Sequence, residues 1–247
     1  MTNSLTTAAD APDTTTEAAT TRALKLVLEY AGLGFELEEG GAAGGCRLRL
    51  TPSAAHPWTR GDVRGHLLAE GIAVEAARCE QPLPGPGPGH ELLLLLPSDA
   101  EVRALGRLFE ARLTEAQYAA LQLHRALARI GVERHVDIQT TGDRALIDIG
   151  VFDTDAATLL YRGLGGDEAV LRDLDLADWH DHERFARELE RAISATGQVP
   201  LVESVPTCGH CQGRYGGNRI RLDYLDPDDA LLLADALLRV AAPADPT

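Results

Sequence analysis

The sequence predicts an α+β protein made of two tandem, similar units, at residues 21–113 and 114–241, each running helix-strand-strand-helix-strand-strand-helix. Three observations predict this. Helical and strand periodicities follow one another in the same order twice along the chain. The segments Thr21–Ala31 and Ala119–Ile130 carry apolar residues at matching positions, Leu24, Val27, Leu28 and Ala31 against Leu123, Ala126, Leu127 and Ile130. Each is followed by a glycine, Gly32 or Gly131, as a helix closed by a left-handed residue would be. The last strand and helix of each half align without a gap at an offset of 129, with Leu93 on Leu222, Leu96 on Leu225, Asp99 on Asp228, Val102 on Leu231 and Leu108 on Leu237. The pattern reads as an internal duplication, with mixed or antiparallel sheets and helices on one face.

Residues 1–20, rich in Thr, Ala and Asp, are expected to be a disordered tail. After the first helix, Phe35–Glu39 and Cys46–Leu50 alternate as strands across a Gly-rich turn at 40–45. Arg60–Glu70 reads as a short helix, and Ile72–Cys79 and His90–Leu96 as two further strands. Five consecutive leucines suggest a strand covered on both faces. Ser98 and Glu101 form a capping box for a helix that reaches about Leu113.

In the second half, His135–Thr140 and Arg144–Phe152 pair as strands around Thr141-Gly142-Asp143. An insertion follows at about 154–180, with a short helix at Ala156–Arg162, a Gly165-Gly166 break and an acidic run from Asp173 to Asp178. Glu183–Thr196 reads as a helix, Val199–Val205 and Arg219–Leu225 as strands. Asp226 and Pro227 open a last helix that runs to about Val240, and 242–247 form a tail.

Asp and Glu number 38 against 23 Lys and Arg, a net charge of -15. Nucleic acid and anionic membranes both need a basic face, so neither is an expected partner. Arg125, Arg129 and Arg134 are the one local exception. The acids concentrate at 153–191 and 223–245, which admits an acidic inhibitor or mimic as one reading. The first 21 residues lack Lys, Arg and an apolar run, so no signal peptide is read there, and Leu92–Leu96 is too short to span a membrane. Four cysteines do not make a disulfide scaffold, and a cytoplasmic setting with reduced thiols is expected.

The chemically suggestive motif is Cys208-Gly209-His210-Cys211-Gln212-Gly213-Arg214-Tyr215-Gly216-Gly217. Glycines and then a strand follow the CxxC, where a redox motif would meet a helix, so the context is a hairpin loop. Two thiolates in a tight Gly-rich turn can share one metal ion. The spelling resembles the zinc knuckles of ribbon-type and DnaJ-type proteins over about ten residues, without the second CxxC of those families.

A zinc site needs more ligands. Trp179-His180-Asp181-His182 offers two imidazoles, and His210 lies inside the loop. The candidate metal residues are therefore Cys208, Cys211, His180, His182 and His210, with Cys46 and Cys79 as an all-cysteine alternative. The other half has Pro82–Gly89, an alternating Pro-Gly stretch, at the corresponding corner. There is no Gly-rich phosphate loop, no GxSxG, no HExxH and no dinucleotide fingerprint. The expectation is a non-enzymatic adaptor that binds a protein or peptide, with a metal-dependent enzyme around the Cys/His cluster as the alternative.

Overall fold

The computed structural model describes residues 14–39, 46–51, 65, 67, 69, 75–78, 92–197, 201–206 and 217–240. The chain divides into two compact units, Met1–Leu113 and Thr114–Thr247. The fold is α+β, with antiparallel sheets throughout the described strands.

The first unit contains α1 (Thr14–Tyr30), β1 (Gly34–Glu39), β2 (Cys46–Thr51), β3 (Glu75–Arg78), β4 (Leu92–Leu96) and α2 (Asp99–Glu110). Gly65, Leu67 and Ala69 are helical, within the short helix expected there. The sheet order is β1-β2-β4-β3. Helix α1 begins at Thr14, so the expected tail is partly helix. Its Thr20 and Thr21 are buried, and Thr20 donates to Asp99 at the start of α2, 3.4 Å away. Leu24, Val27 and Leu28 form the buried stripe of α1, which packs on α2.

Cys46, Leu48 and Leu50 of β2 point into this core. Arg47 and Arg49 point the other way and meet their register partners Glu38 and Glu36 of β1 at 3.4 and 3.1 Å. The leucine strand alternates instead of being buried throughout: Leu94 and Leu96 are buried, while Leu95 is 37% exposed. The expectation of two covered faces fails here because the sheet is antiparallel, and one of its faces is buried with the period of two.

The second unit contains α3 (Glu115–Arg129), β5 (Asp137–Thr141), β6 (Arg144–Asp148), β7 (Val151–Asp153), α4 (Thr154–Gly163), α5 (Glu168–Arg172), α6 (Trp179–Ser194), β8 (Val202–Val205), β9 (Arg219–Leu222) and α7 (Pro227–Val240). β5 pairs with β6, and a second sheet runs β7-β9-β8. The two meet where Ile147 and Leu225 exchange backbone hydrogen bonds of 2.8 and 2.9 Å.

The expected single strand Arg144–Phe152 is broken. Gly150 sits at φ +77°, and its N–H donates to Asp148 Oδ1 at 2.8 Å. This left-handed step interrupts the alternation, so that Ile147, Ile149 and Phe152 are all buried. Strand β9 likewise stops at Leu222, short of the predicted Leu225.

In the first unit Leu94, Val102, Leu105 and Phe109 are buried, and in the second Leu222, Ala230, Leu233 and Leu237, which lie 128 positions further on rather than the 129 of the apolar pattern. The carbonyls of Ser98, the N-cap of α2, and of Asp226 accept from the N–H of Val102 and Ala230 respectively.

Candidate functional site

Helix α6 starts four residues before the predicted Glu183. Asp178, hidden in the acidic run, is its N-cap and accepts from the backbone N–H of His180 at 2.9 Å and of Asp181 at 3.2 Å. Asp175 is used in the same way, accepting from Ala177 N–H at 3.1 Å. Its own N–H donates to Asp181 Oδ2 at 3.0 Å. That bond, with Arg184 at 2.7 Å, holds the Asp181 carboxyl below its ordinary range. These acids build a helix start.

The earlier start places both histidines on helix, where two residues are roughly 200° apart. The structure therefore separates them. His180 is exposed, while His182 is fully buried in one stripe with Phe185, Ala186, Leu189 and Ile193. A site that uses both rings from this turn of α6 is not assembled. Trp179 stacks on His182 with ring centroids 6.4 Å apart and an interplanar angle of 20°.

His182 Nδ1 lies 2.6 Å from Ser204 Oγ. Ser204 is in β8, paired in register with the buried Ile220 of β9, on the sheet face that α6 covers. The other ring nitrogen, Nε2, is buried and has no hydrogen-bond partner among the described residues. An unpaired buried polar atom of this kind costs about 1–3 kcal/mol. Burial pushes the His182 pKa below its ordinary value, so the ring is neutral at pH 7. Among the described residues, no carboxylate bonds the far nitrogen to orient the imidazole as in a serine–histidine–carboxylate set.

Asn218, mostly buried just before β9, donates from Nδ2 to Ala177 O at 3.5 Å, and its carbonyl accepts from Thr154 Oγ1 at 3.1 Å. Both stems of the β8–β9 connection are thus tied to the start of α6, through Ser204–His182 and through Asn218–Ala177. Cys208, His210 and Cys211 lie in that connection, outside the described residues, as do Cys79 and the Pro-Gly stretch 82–89. No group of three or more His, Cys, Asp or Glu able to hold a metal occurs among the described residues.

Cys46 is buried in the first unit's core, and burial, with a smaller contribution from the Asp99 charge, raises its thiol pKa to about 11. Arg134, one of the three arginines of the local basic cluster, lies over the Phe152 ring with its guanidinium carbon 5.1 Å from the centroid.

Ser204 is the site residue that sequence reasoning missed. Its signal was present: in Val202-Glu203-Ser204-Val205 a hydroxyl shares the inward face with Val202, and a polar group there needs a partner.

No helix among the described residues is long and apolar enough to cross a membrane. No family model matches the chain, and no curated protein matches it. Among solved structures, an I-DmoI variant in complex with its nicked target DNA aligns with 93% of this chain and 99% of that chain, at 11% identity and a TM-score of 0.23. A similarity of that size carries no argument about either fold or function.

Proposed function

We propose that the chain is a non-enzymatic protein- or peptide-binding adaptor whose two units descend from one duplicated αββαββα module. The carrying observation is the outward face of the described strands of the first unit's sheet. That face presents the Glu36–Arg49 and Glu38–Arg47 pairs beside Leu93 and the 37%-exposed Leu95. An apolar row flanked by charged side chains suits an extended peptide segment, with the leucines supplying contact and the flanking charges setting register. The net charge of -15 favours such a partner over nucleic acid or an anionic membrane.

The duplication is supported by matched helix ends. Gly32 and Gly131 both have positive φ, +67° and +84°. The next residue in each case, Leu33 or Val132, is buried and donates its N–H to the carbonyl five residues back, at 3.2 and 2.9 Å.

The test is a displayed library of random peptides panned on the purified full chain. The reading expects enriched sequences whose affinity falls at least about tenfold, or 1.4 kcal/mol, in Leu95→Asp. Enrichment no better than on unfolded chain, or binders indifferent to Leu95→Asp, would contradict it.

A further inference from the structure

We propose that the free edge of β5, at Ile138 and Thr140, takes up an extended segment of a partner protein as an added antiparallel strand, and that this segment carries a basic residue beside Asp137. The site lies in the second unit, shares no residue with the outward sheet face of the first, and stands or falls separately from it.

The backbone makes the site. Strand β5 pairs with β6, and among the described residues no strand lies along its other edge. Thr141 stands opposite Arg144 across the two-residue turn Gly142-Asp143, with Gly142 at φ +62°. That turn fixes which groups the hairpin uses. Thr141, Gln139 and Asp137 exchange bonds with β6, so the N–H and C=O groups of Ile138 and Thr140 point outward along the edge. Edge strands are commonly blocked by a lysine, a proline or a bulge. Asp137–Thr141 contains neither residue, and its register runs unbroken over all five positions.

The side chains set the chemistry of the occupant. Ile138 stands opposite the fully buried Ile147 but is itself only half-buried, at the margin of the core. An apolar residue opposite it on an added strand would cover it. On the other face Asp137 lies directly opposite Asp148, and like charges in a cross-strand pair are unfavourable. The Asp137 side chain is 66% exposed, with His135 Nε2 3.7 Å from its Oδ1, and Asp148 Oδ1 accepts the Gly150 N–H at 2.8 Å. A lysine or arginine on a third strand would offset this pair, and the net charge of -15 favours its approach. A second copy of β5 would bring the same acid and no base. In antiparallel addition the residues opposite Ile138 and Thr140 make the backbone bonds and share the face of Ile138. The one opposite Asp137 makes none and shares the face of the acids. The occupant therefore alternates apolar bonding positions with basic non-bonding ones.

The experiment titrates the full chain with a synthetic peptide that alternates lysine and valine, and reads amide hydrogen exchange by NMR. The expected result is saturable binding with exchange at Ile138 and Thr140 slowed by at least about tenfold. N-methylation of the valines, which removes the bonding N–H groups, should abolish binding, while N-methylation of the lysines should spare it. Asp137→Lys should weaken binding of the lysine peptide by at least about tenfold. Thr140→Pro removes an outward N–H without touching a bond to β6, and should weaken binding as well. Leu95→Asp should bind as the parent chain does. Should Thr140→Pro fail to fold, the methylated peptides decide by the same measurement. Unchanged exchange at Ile138 and Thr140, equal tolerance of both methylation patterns, or indifference to Asp137→Lys would each overturn the proposal. So would loss of binding in Leu95→Asp, which points to the first unit's sheet, or self-association of the chain that Thr140→Pro reverses.

Discussion

Two buried residues of unlike chemistry show how position sets reactivity in this protein. His182 and Phe185 share one stripe of α6, but only Phe185 is satisfied by packing, edge-on to Tyr161 with centroids 5.7 Å apart. His182 keeps one nitrogen unpaired. His182→Leu should therefore leave urea-unfolding stability within about 1 kcal/mol of the parent, since loss of the Ser204 bond is offset by removal of the unpaired atom. Phe185→Ala should cost about 3–5 kcal/mol in the same assay. A large loss in His182→Leu would show that the ring has a partner not yet accounted for.

Cys46 makes the second case. Its thiol stays protonated to about pH 11, against an ordinary value of 9.0. Alkylation at pH 8 should therefore spare Cys46 in native chain and label it after unfolding, as mass spectrometry of the peptide would show. Because folding raises this pKa, the native state retains a proton that the unfolded chain gives up. The associated stability is complete below about pH 9 and is lost as pH rises toward 11. Cys46→Ala should flatten that alkaline decline.

At the scale of elements, caps and breaks decided what could be read from the sequence. Gly32, Gly131 and the Ser98 cap were legible because a helix end needs a residue type that few others replace. The start of α6 was not, because Asp178 sits among other acids and Asp181 and Glu183 also read as a first turn. That error hid the separation of His180 from His182, which follows from helical spacing once the start is known. The break at Gly150 was obscured because the apolar residues on either side prolong an apparent alternation. The Ser204–His182 bond joins residues 22 positions apart on different elements, and local patterns do not report such pairs.

Two substitutions test these ends. Gly150→Ala places a Cβ at φ +77°, 3.4 Å from the Arg134 guanidinium, and should destabilise the second unit by about 1–3 kcal/mol in thermal unfolding. Asp178→Ala removes the α6 cap and should cost about 1 kcal/mol, with faster amide exchange at His180 and Asp181.

At the scale of the molecule, each unit has its own buried core. Leu105→Ala and Leu233→Ala remove one buried leucine from each unit and should each cost about 2–5 kcal/mol. Hydrogen exchange read by mass spectrometry should rise in α2 and β4 for the first variant and in α7 and β9 for the second, each leaving the other unit protected. Equal loss of protection in both units would mean that they unfold as one. The outward sheet face in the first unit is the feature from which the adaptor reading follows. Its most direct test is a photo-reactive amino acid placed at Leu95, with Asp143 in the β5–β6 turn as control, in the cell that makes the chain. The account predicts a discrete protein adduct from position 95 that is absent from position 143. No adduct at 95, or the same adducts from both positions, would contradict it.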